Sequence, residues 1–75
     1  MKSFDRITFD PTIMQGQACI RGMRITVSLV LGLVASGMTT KEILEAYPYL
    51  EDEDIWESLR YASWLAKDQE LITAS

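Results

Sequence analysis

A chain of 75 residues with one cysteine and no histidine has the size of a single small domain and cannot form an internal disulfide. The lack of histidine also excludes the usual His/Cys metal sites and histidine-activated nucleophiles, so the composition argues against an enzyme, and we expect no cofactor or metal. A core of this size supplies only about 3–5 kcal/mol of net stability, which favours an oligomer.

The net charge of −4 is unevenly distributed along the chain. Residues 1–40 carry four basic and two acidic groups, whereas residues 41–75 carry three basic and nine acidic groups. If nucleic acid is bound, the first half is the better candidate, and Lys2 and Arg6 are its possible contacts. No segment has the length of a membrane span or the pattern of a secretion signal, so we expect a cytoplasmic protein with no membrane contact.

Residues 1–26 predict a small β-element. Residues 7–9 alternate apolar and polar side chains and precede Asp10-Pro11, which indicates a strand followed by a turn. Farther on, apolar residues flank Arg21-Gly22-Met23-Arg24. This segment is therefore predicted to be a hairpin turn, with Gly22 at the first central position of a type II′ loop.

Arg21 and Arg24 require an explanation within this hairpin. In the type II′ geometry they face each other across its neck, and like charges placed opposite one another are destabilising. Two roles are open. The arginines pair internally with Asp5, Asp10 or helix-end carbonyls, or they bind an anion or an acidic partner.

The next segment predicts two helices. Thr26 is suited to cap a first helix over residues 27–36, and Gly37 is suited to end it in a left-handed conformation. Thr39 and Glu42 have the spacing of a capping box, so a second helix should follow at once.

A third helix is predicted after Pro48, which stops the second. It covers residues 51–69, and its four leading acids indicate a solvated first turn at the positive end of the helix dipole. The fold class is thus α+β and mainly α, a single domain of residues 1–75. Its parts are the β-element, a three-helix core of the helix-turn-helix type over residues 27–70, and a short tail over residues 71–75.

Two helix faces indicate a partner chain. The first helix is apolar on nearly every side, with Leu29 and Leu33 opposite the stripe that would face the core. On the third helix, Tyr61, Trp64 and Leu65 lie away from the face that would pack on the other helices. Either Trp64 covers the β-element of its own chain, or these residues anchor an interface. We expect at least a homodimer.

Several motifs of the chain resemble one known family. They are Ile7, Asp10-Pro11, Gly16, Cys19-Ile20-Arg21-Gly22-Met23-Arg24-Ile25-Thr26-Val27, Ser36-Gly37-Met38-Thr39, Ile43-Leu44, Tyr47-Pro48-Tyr49-Leu50 and Asp54-Ile55. They resemble the small bacterial domain-of-unknown-function family 433, regarded as VapB-like antitoxins, over about residues 6–66. The resemblance implies a homeodomain-like three-helix core behind a short β-element. It also implies a gene beside that of a PIN-like ribonuclease toxin.

These observations predict a non-enzymatic, antitoxin-like binding protein of a bacterial type II toxin–antitoxin pair. Its partner would be a PIN-like ribonuclease toxin, held by a folded surface around Tyr61 and Trp64. Arg21 and Arg24 are chemically suited to the metal-binding carboxylates of such an enzyme. The alternative is a helix-turn-helix DNA-binding regulator, one that could be autoregulatory. The four acids at the start of its recognition helix would be repelled by phosphates.

Overall fold

A computed structural model describes the backbone of residues 4–73 and the side chains of residues 4–67. The elements in chain order are β1 (Ile7–Thr8), a short 3-10 turn (Met14–Gly16), β2 (Cys19–Ile20), α1 (Val27–Ala35), α2 (Thr40–Ala46) and α3 (Asp52–Thr73). The predicted architecture of a short antiparallel β-element followed by three helices is confirmed.

The β-element is smaller than its sequence pattern suggested. β1 and β2 pair antiparallel, with Ile7 opposite Ile20. The second arm of the predicted hairpin, after Arg24, is reduced to a bridge between Cys19 and Thr26. Thr26 already caps α1, so the next residue is helical and the strand has no room to continue.

The turn after Ile20 differs from the predicted type II′ loop. The Met23 N–H donates to the Ile20 carbonyl over 2.8 Å, and Arg21 and Gly22 between them have φ of 46° and 72°. Positive φ at both central positions is the pattern of a type I′ turn. Because the turn starts one residue earlier than predicted, Arg21 lies inside it and Arg24 lies beyond it. The predicted clash of these two arginines across a hairpin neck is therefore wrong.

α1 begins and ends within one residue of its predicted bounds. The Leu29 N–H donates to Thr26 Oγ1 over 3.0 Å at its start. At its end the Met38 N–H donates to the Leu33 carbonyl over 3.2 Å, while Gly37 has a φ of 97°. This closure is the Schellman motif, which requires a left-handed residue at Gly37.

α2 carries the predicted capping box. The Glu42 N–H donates to Thr39 Oγ1 over 3.1 Å, and the Thr39 N–H donates to Glu42 Oε1 over 2.8 Å. α2 ends at Ala46, two residues before Pro48, which cannot continue a helix. The local signals thus fixed this helix at both ends.

α3 packs against both other helices. It runs to Thr73, beyond its predicted end, because no glycine or proline follows its start. Residues 71–73, expected to be a tail, continue the helix, and residues 74–75 lie outside the described residues. Within the described part of the chain, none of the helices has both the length and the hydropathy needed to cross a membrane.

The hydrophobic core lies between the strand pair and the three helices. Every one of these elements contributes at least one buried apolar side chain, and the loop before α3 adds another. The buried set is Ile7, Cys19, Ile20, Val27, Val30, Ile43, Leu50 and Ile55. A two-stranded element is marginal alone, so these contacts are needed to hold the β-element in place.

Two glycines of α1 and its cap should respond oppositely to the same substitution. Gly37→Ala should lower the free energy of unfolding by about 1 kcal/mol, because alanine is strained at positive φ. Gly32 is helical, and a Cβ there meets nothing within 4 Å. Gly32→Ala should therefore raise stability by roughly 0.5–1 kcal/mol. Urea denaturation of both variants checks this, and shifts of the same sign would contradict it.

Candidate functional site

A buried carboxylate at the start of α3 connects the β-element to the helices. Asp54 is fully buried. Its Oδ1 accepts from Arg6 Nη1 over 2.9 Å and from Arg21 Nε over 3.1 Å, and its Oδ2 accepts from Arg21 Nη2 over 2.9 Å. Oδ2 also accepts the Glu51 N–H over 2.8 Å. We call Arg6, Arg21 and Asp54 the Asp54 clamp.

Backbone hydrogen bonds hold both arginines of the clamp in position. The Arg21 N–H donates to the Arg6 carbonyl over 2.8 Å, and the Arg6 N–H donates to Glu57 Oε2 over 2.6 Å. The Gly22 N–H donates to Thr8 Oγ1 over 2.9 Å. A non-glycine residue keeps a left-handed φ only where its surroundings hold it there. Arg21 meets that condition because its N–H and its guanidinium are both anchored.

The clamp also reaches the loop between α2 and α3. Arg21 Nη2 donates to the Tyr49 carbonyl over 2.9 Å, and the neighbouring Leu50 is buried in the core. The motif around Arg21-Gly22 and the Tyr47-Pro48-Tyr49-Leu50 motif are far apart in sequence. The structure brings them together at Asp54.

The charges of the clamp shift each other's pKa. Burial acts to raise the pKa of Asp54, but the hydrogen bonds from Arg21, the Glu51 N–H and Arg6 outweigh it and hold that pKa below its usual value. The hydrogen bond to Asp54 raises the pKa of Arg21, and the nearby charge of Arg6 opposes this rise. Hydrogen bonds from its side chain to Glu51 and Asp54 raise the pKa of Arg6. The like charges that need compensation are thus Arg6 and Arg21.

Asp54 is the site residue that the sequence analysis missed. The four acids at the start of α3 were interpreted as a solvated turn, which fits the exposed Glu51, Asp52 and Glu53 but is wrong for Asp54. Asp54 lies three residues after Glu51 and accepts its N–H, as the third residue of a helix does in a capping box. That spacing was the available signal.

Asp10 does not pair with the arginines, contrary to one of the internal pairings considered. Its Oδ1 accepts from the Thr12 hydroxyl over 2.7 Å and from the Thr12 N–H over 2.9 Å, and these two bonds lower the pKa of Asp10. These local bonds form an Asx turn, so the Asp10 carboxylate has hydrogen-bond donors without an arginine. Arg24 instead lies at an open cavity beside Thr12 and is exposed.

A cluster of aromatic rings joins the amino-terminal segment to α3. The Phe4 ring lies 5.3 Å from the Tyr61 ring at 85° and 5.7 Å from the Trp64 ring. The Phe9 ring lies 6.3 Å from the Tyr61 ring. Trp64 therefore covers part of its own chain, yet 42% of its surface stays exposed. Phe9 and Leu65 are also exposed, and we call Phe9, Tyr61, Trp64 and Leu65 the aromatic face.

An apolar groove of about 310 Å³ continues the aromatic face. Tyr61 and Leu65 form one side of it, and Val27 and Leu31 of α1 form the other. Its lining is mostly apolar, and Gln17 and Ser28 are its polar members. The groove thus adds a concave apolar surface between α1 and α3 to the aromatic face.

The other predicted site residues lie in different surroundings. Leu29 is exposed on α1, whereas Leu33 is half-buried and packs against the core. Arg6, a possible nucleic-acid contact, is held in the clamp, and Lys2 lies outside the described residues. Trp56, which no sequence motif indicated as a site residue, is 46% exposed. Among the described residues, His, Cys, Asp and Glu side chains form no group of three or more that could hold a metal ion.

Comparisons with known proteins identify relatives of this chain. Residues 7–62 match the family model described as a protein of unknown function, DUF433. The chain is similar to a DUF433 member protein from Anabaena variabilis ATCC 29413, whose crystal structure was determined at 2.00 Å resolution. The TM-score is 0.75 at 30% sequence identity, over 93% of this chain and 69% of that chain. No protein of curated function matches. The matched segment includes Arg21 and Asp54 but ends before Trp64.

Removal of the buried charge should destabilise the fold and reduce its sensitivity to acid. Asp54→Asn should lower the free energy of unfolding at neutral pH by about 2–4 kcal/mol, because two guanidinium groups lose their carboxylate. Since the pKa of Asp54 is lower in the folded chain, its contribution is complete above the usual value of 3.8. That contribution is lost as the pH falls through the folded-state pKa.

Urea denaturation at neutral pH, and at pH values that fall below the usual aspartate pKa of 3.8, measures the loss of stability and its dependence on acid. The loss of stability in acid should be shallower in Asp54→Asn than in the wild type. Asp52→Asn is the matched control, because Asp52 is exposed in the same helical turn, and it should keep both the stability and the acid response. Equal losses in the two variants would contradict the clamp.

The two arginines of the turn segment should differ in their effect on stability. Arg21→Gln should lower the midpoint of thermal unfolding, and Arg24→Gln should leave it nearly unchanged, because only Arg21 binds Asp54. Arg21→Lys should not restore the midpoint, since an ammonium group cannot reproduce the guanidinium bonds to both carboxylate oxygens. Circular dichroism measures the three midpoints, and a comparable loss in Arg24→Gln would refute this assignment.

Proposed function

The chain belongs to the DUF433 family, a family of unknown function, and on this premise we propose that it is a non-enzymatic, antitoxin-like protein of the bacterial cytoplasm that masks a PIN-like ribonuclease toxin. The observation that carries the proposal is the aromatic face. Phe9, Trp64 and Leu65 keep 60%, 42% and 46% of their surface exposed. Clustered exposed aromatics are typical of the residues that dominate binding energy in protein interfaces.

The aromatic face is built from two parts of the fold, which favours binding of the toxin by a surface that is already folded. Phe4 and Phe9 come from the β-element, and Tyr61 and Trp64 come from α3. The Asp54 clamp holds these two parts of the chain against each other. A surface that is already ordered loses less conformational entropy on binding than a segment that folds on its partner.

In this proposal Arg24, and not Arg21, binds a carboxylate of the toxin. The guanidinium of Arg21 binds Asp54 and the Tyr49 carbonyl, and its removal from them would leave a buried carboxylate with fewer partners. Arg24 is exposed and can donate to a carboxylate without breaking an internal ion pair.

The alternative is a helix-turn-helix DNA-binding regulator, one that could regulate its own operon, and the order of α2, a short loop and α3 favours it. The charges oppose it, because Glu51, Asp52 and Glu53 are exposed where α3 would approach phosphates. Arg6 and Arg21 are already neutralised by carboxylates. A gel-shift titration against the upstream DNA, repeated at rising salt, tests this alternative.

A homodimer is the second part of our proposal. Leu29 keeps 38% of its surface exposed on α1, so its burial by a second copy would contribute a fraction of the roughly 1.5–3 kcal/mol that full burial of a leucine side chain provides. Leu33 contributes less to this surface, because it packs against its own core.

Co-expression with the product of the neighbouring gene tests the antitoxin proposal. The wild-type chain should co-purify with that product and relieve its toxicity to growth. Trp64→Ser should weaken the complex by about 2 kcal/mol, as loss of a central aromatic does. Trp56→Ser is the matched control, since Trp56 lies on the same helix with similar exposure but outside the aromatic face. Absence of both co-purification and growth rescue in the wild type would reject the proposal.

The mass of the isolated chain in solution separates the two uses of the aromatic face. A Trp64→Ser chain that keeps the wild-type mass but loses the toxin places the partner on this face. If Trp64→Ser instead converts a dimer to a monomer with intact helicity, the face joins two copies of the chain. Trp56→Ser should change neither mass nor helicity.

A further inference from the structure

Three consecutive residues between β1 and β2 have a left-handed backbone. Met14, Gln15 and Gly16 have φ of 48°, 60° and 80°, and only the last is a glycine. This conformation is unfavourable for a residue with a Cβ, and unfavourable backbone of this kind is concentrated at functional sites. The turn is closed by the Gly16 N–H, which donates to the Ile13 carbonyl over 3.1 Å, and by the Gln17 N–H, which donates to the Met14 carbonyl over 3.2 Å.

This turn forms one wall of a cavity of about 380 Å³, which we call the Arg24 cavity. Its lining residues are Pro11, Thr12, Met14, Gln15, Gln17 and Arg24. The lining combines one cation and two amides with the apolar surfaces of a proline and a methionine. Its volume falls within the range of small-ligand sites, about 300–1,000 Å³.

Arg24 provides the positive charge of this cavity. Within residues 4–67 it makes no hydrogen bond or ion pair, whereas Arg6, Arg21 and Arg60 are each bound to a carboxylate. The nearby Asp10 is bound to Thr12 and does not line the cavity. The cavity therefore holds one uncompensated cation and no lining carboxylate.

We propose that the Arg24 cavity binds the carboxylate group of a small ligand. The guanidinium of Arg24 would donate two parallel hydrogen bonds to the two oxygens, the geometry in which arginine binds carboxylates most strongly. The amides of Gln15 and Gln17 would donate further bonds. One guanidinium balances the single charge of a carboxylate, whereas a phosphate dianion would keep a surplus charge. Arg24 is also the residue that we offer to a toxin carboxylate, but this inference concerns the isolated chain, so its test requires no toxin and can succeed or fail separately.

Nuclear magnetic resonance of the isotope-labelled full chain tests this proposal. Sodium acetate is titrated at constant ionic strength, and the backbone amide shifts are followed. We expect saturable shifts confined to residues 11–17 and to Arg24. Arg24→Gln should weaken binding about tenfold or more, the effect of losing charge-assisted hydrogen bonds. Arg60→Gln, which removes an exposed arginine elsewhere, should leave binding unchanged.

Three outcomes would overturn the proposal: shifts that grow without saturation, equal binding in Arg24→Gln, or inorganic phosphate binding to the same amides more tightly than acetate. Unchanged amide positions outside the cavity in ligand-free Arg24→Gln show that the fold is intact. Gln15→Gly gives a second, independent readout. It should raise the midpoint of thermal unfolding by relieving the backbone and also weaken acetate binding. A variant that is more stable but binds acetate as before would refute the role of the turn.

Discussion

Three separate parts of this chain depend on the carboxylate of Asp54. It accepts the Glu51 N–H at the start of α3, and it binds Arg6 from the segment before β1 and Arg21 from the turn after β2. A buried charge is tolerated only while its partners are present, and loss of one partner leaves the rest uncompensated. The β-element has two strands of two residues each, too few to be stable alone. The fold is therefore one cooperative unit in which a charge at a helix start holds the strands in place.

The Asp54 clamp also holds the aromatic face in position. Phe4 and Phe9 flank β1, and their rings meet Tyr61 on α3 because Arg6, between them in sequence, is tied to the first turn of the same helix. Each ring contact contributes about 0.5–1.5 kcal/mol beyond the burial of its area. Trp64 thus packs against rings of its own chain while part of its surface stays exposed. The aromatic face therefore depends on the Asp54 clamp for its position, although no clamp residue belongs to it.

The sequence predicted the features that depend on neighbours within four residues and missed those that depend on distant ones. Gly37 and the Thr39–Glu42 capping box fixed helix ends because their partners are local. Four adjacent acids begin α3, and no local rule says which one turns inward. That choice is made by Arg6 and Arg21, which lie 48 and 33 residues from Asp54. The left-handed turn at Met14 and Gln15 carries no preceding glycine or asparagine, so composition gave no signal of it.

The two arginines of the segment Arg21-Gly22-Met23-Arg24 differ in their surroundings, because Arg21 pairs with Asp54 and Arg24, within residues 4–67, makes no such pair. Arg21 is committed to Asp54, so loss of its charge changes the fold itself, and any effect on binding would follow from that change. Arg24 lies three residues away, outside the type I′ turn and exposed. Loss of the Arg24 charge can therefore change binding without changing the fold. A function that requires a free guanidinium in this segment must therefore be sought at Arg24, while Arg21 explains why the segment has a fixed shape.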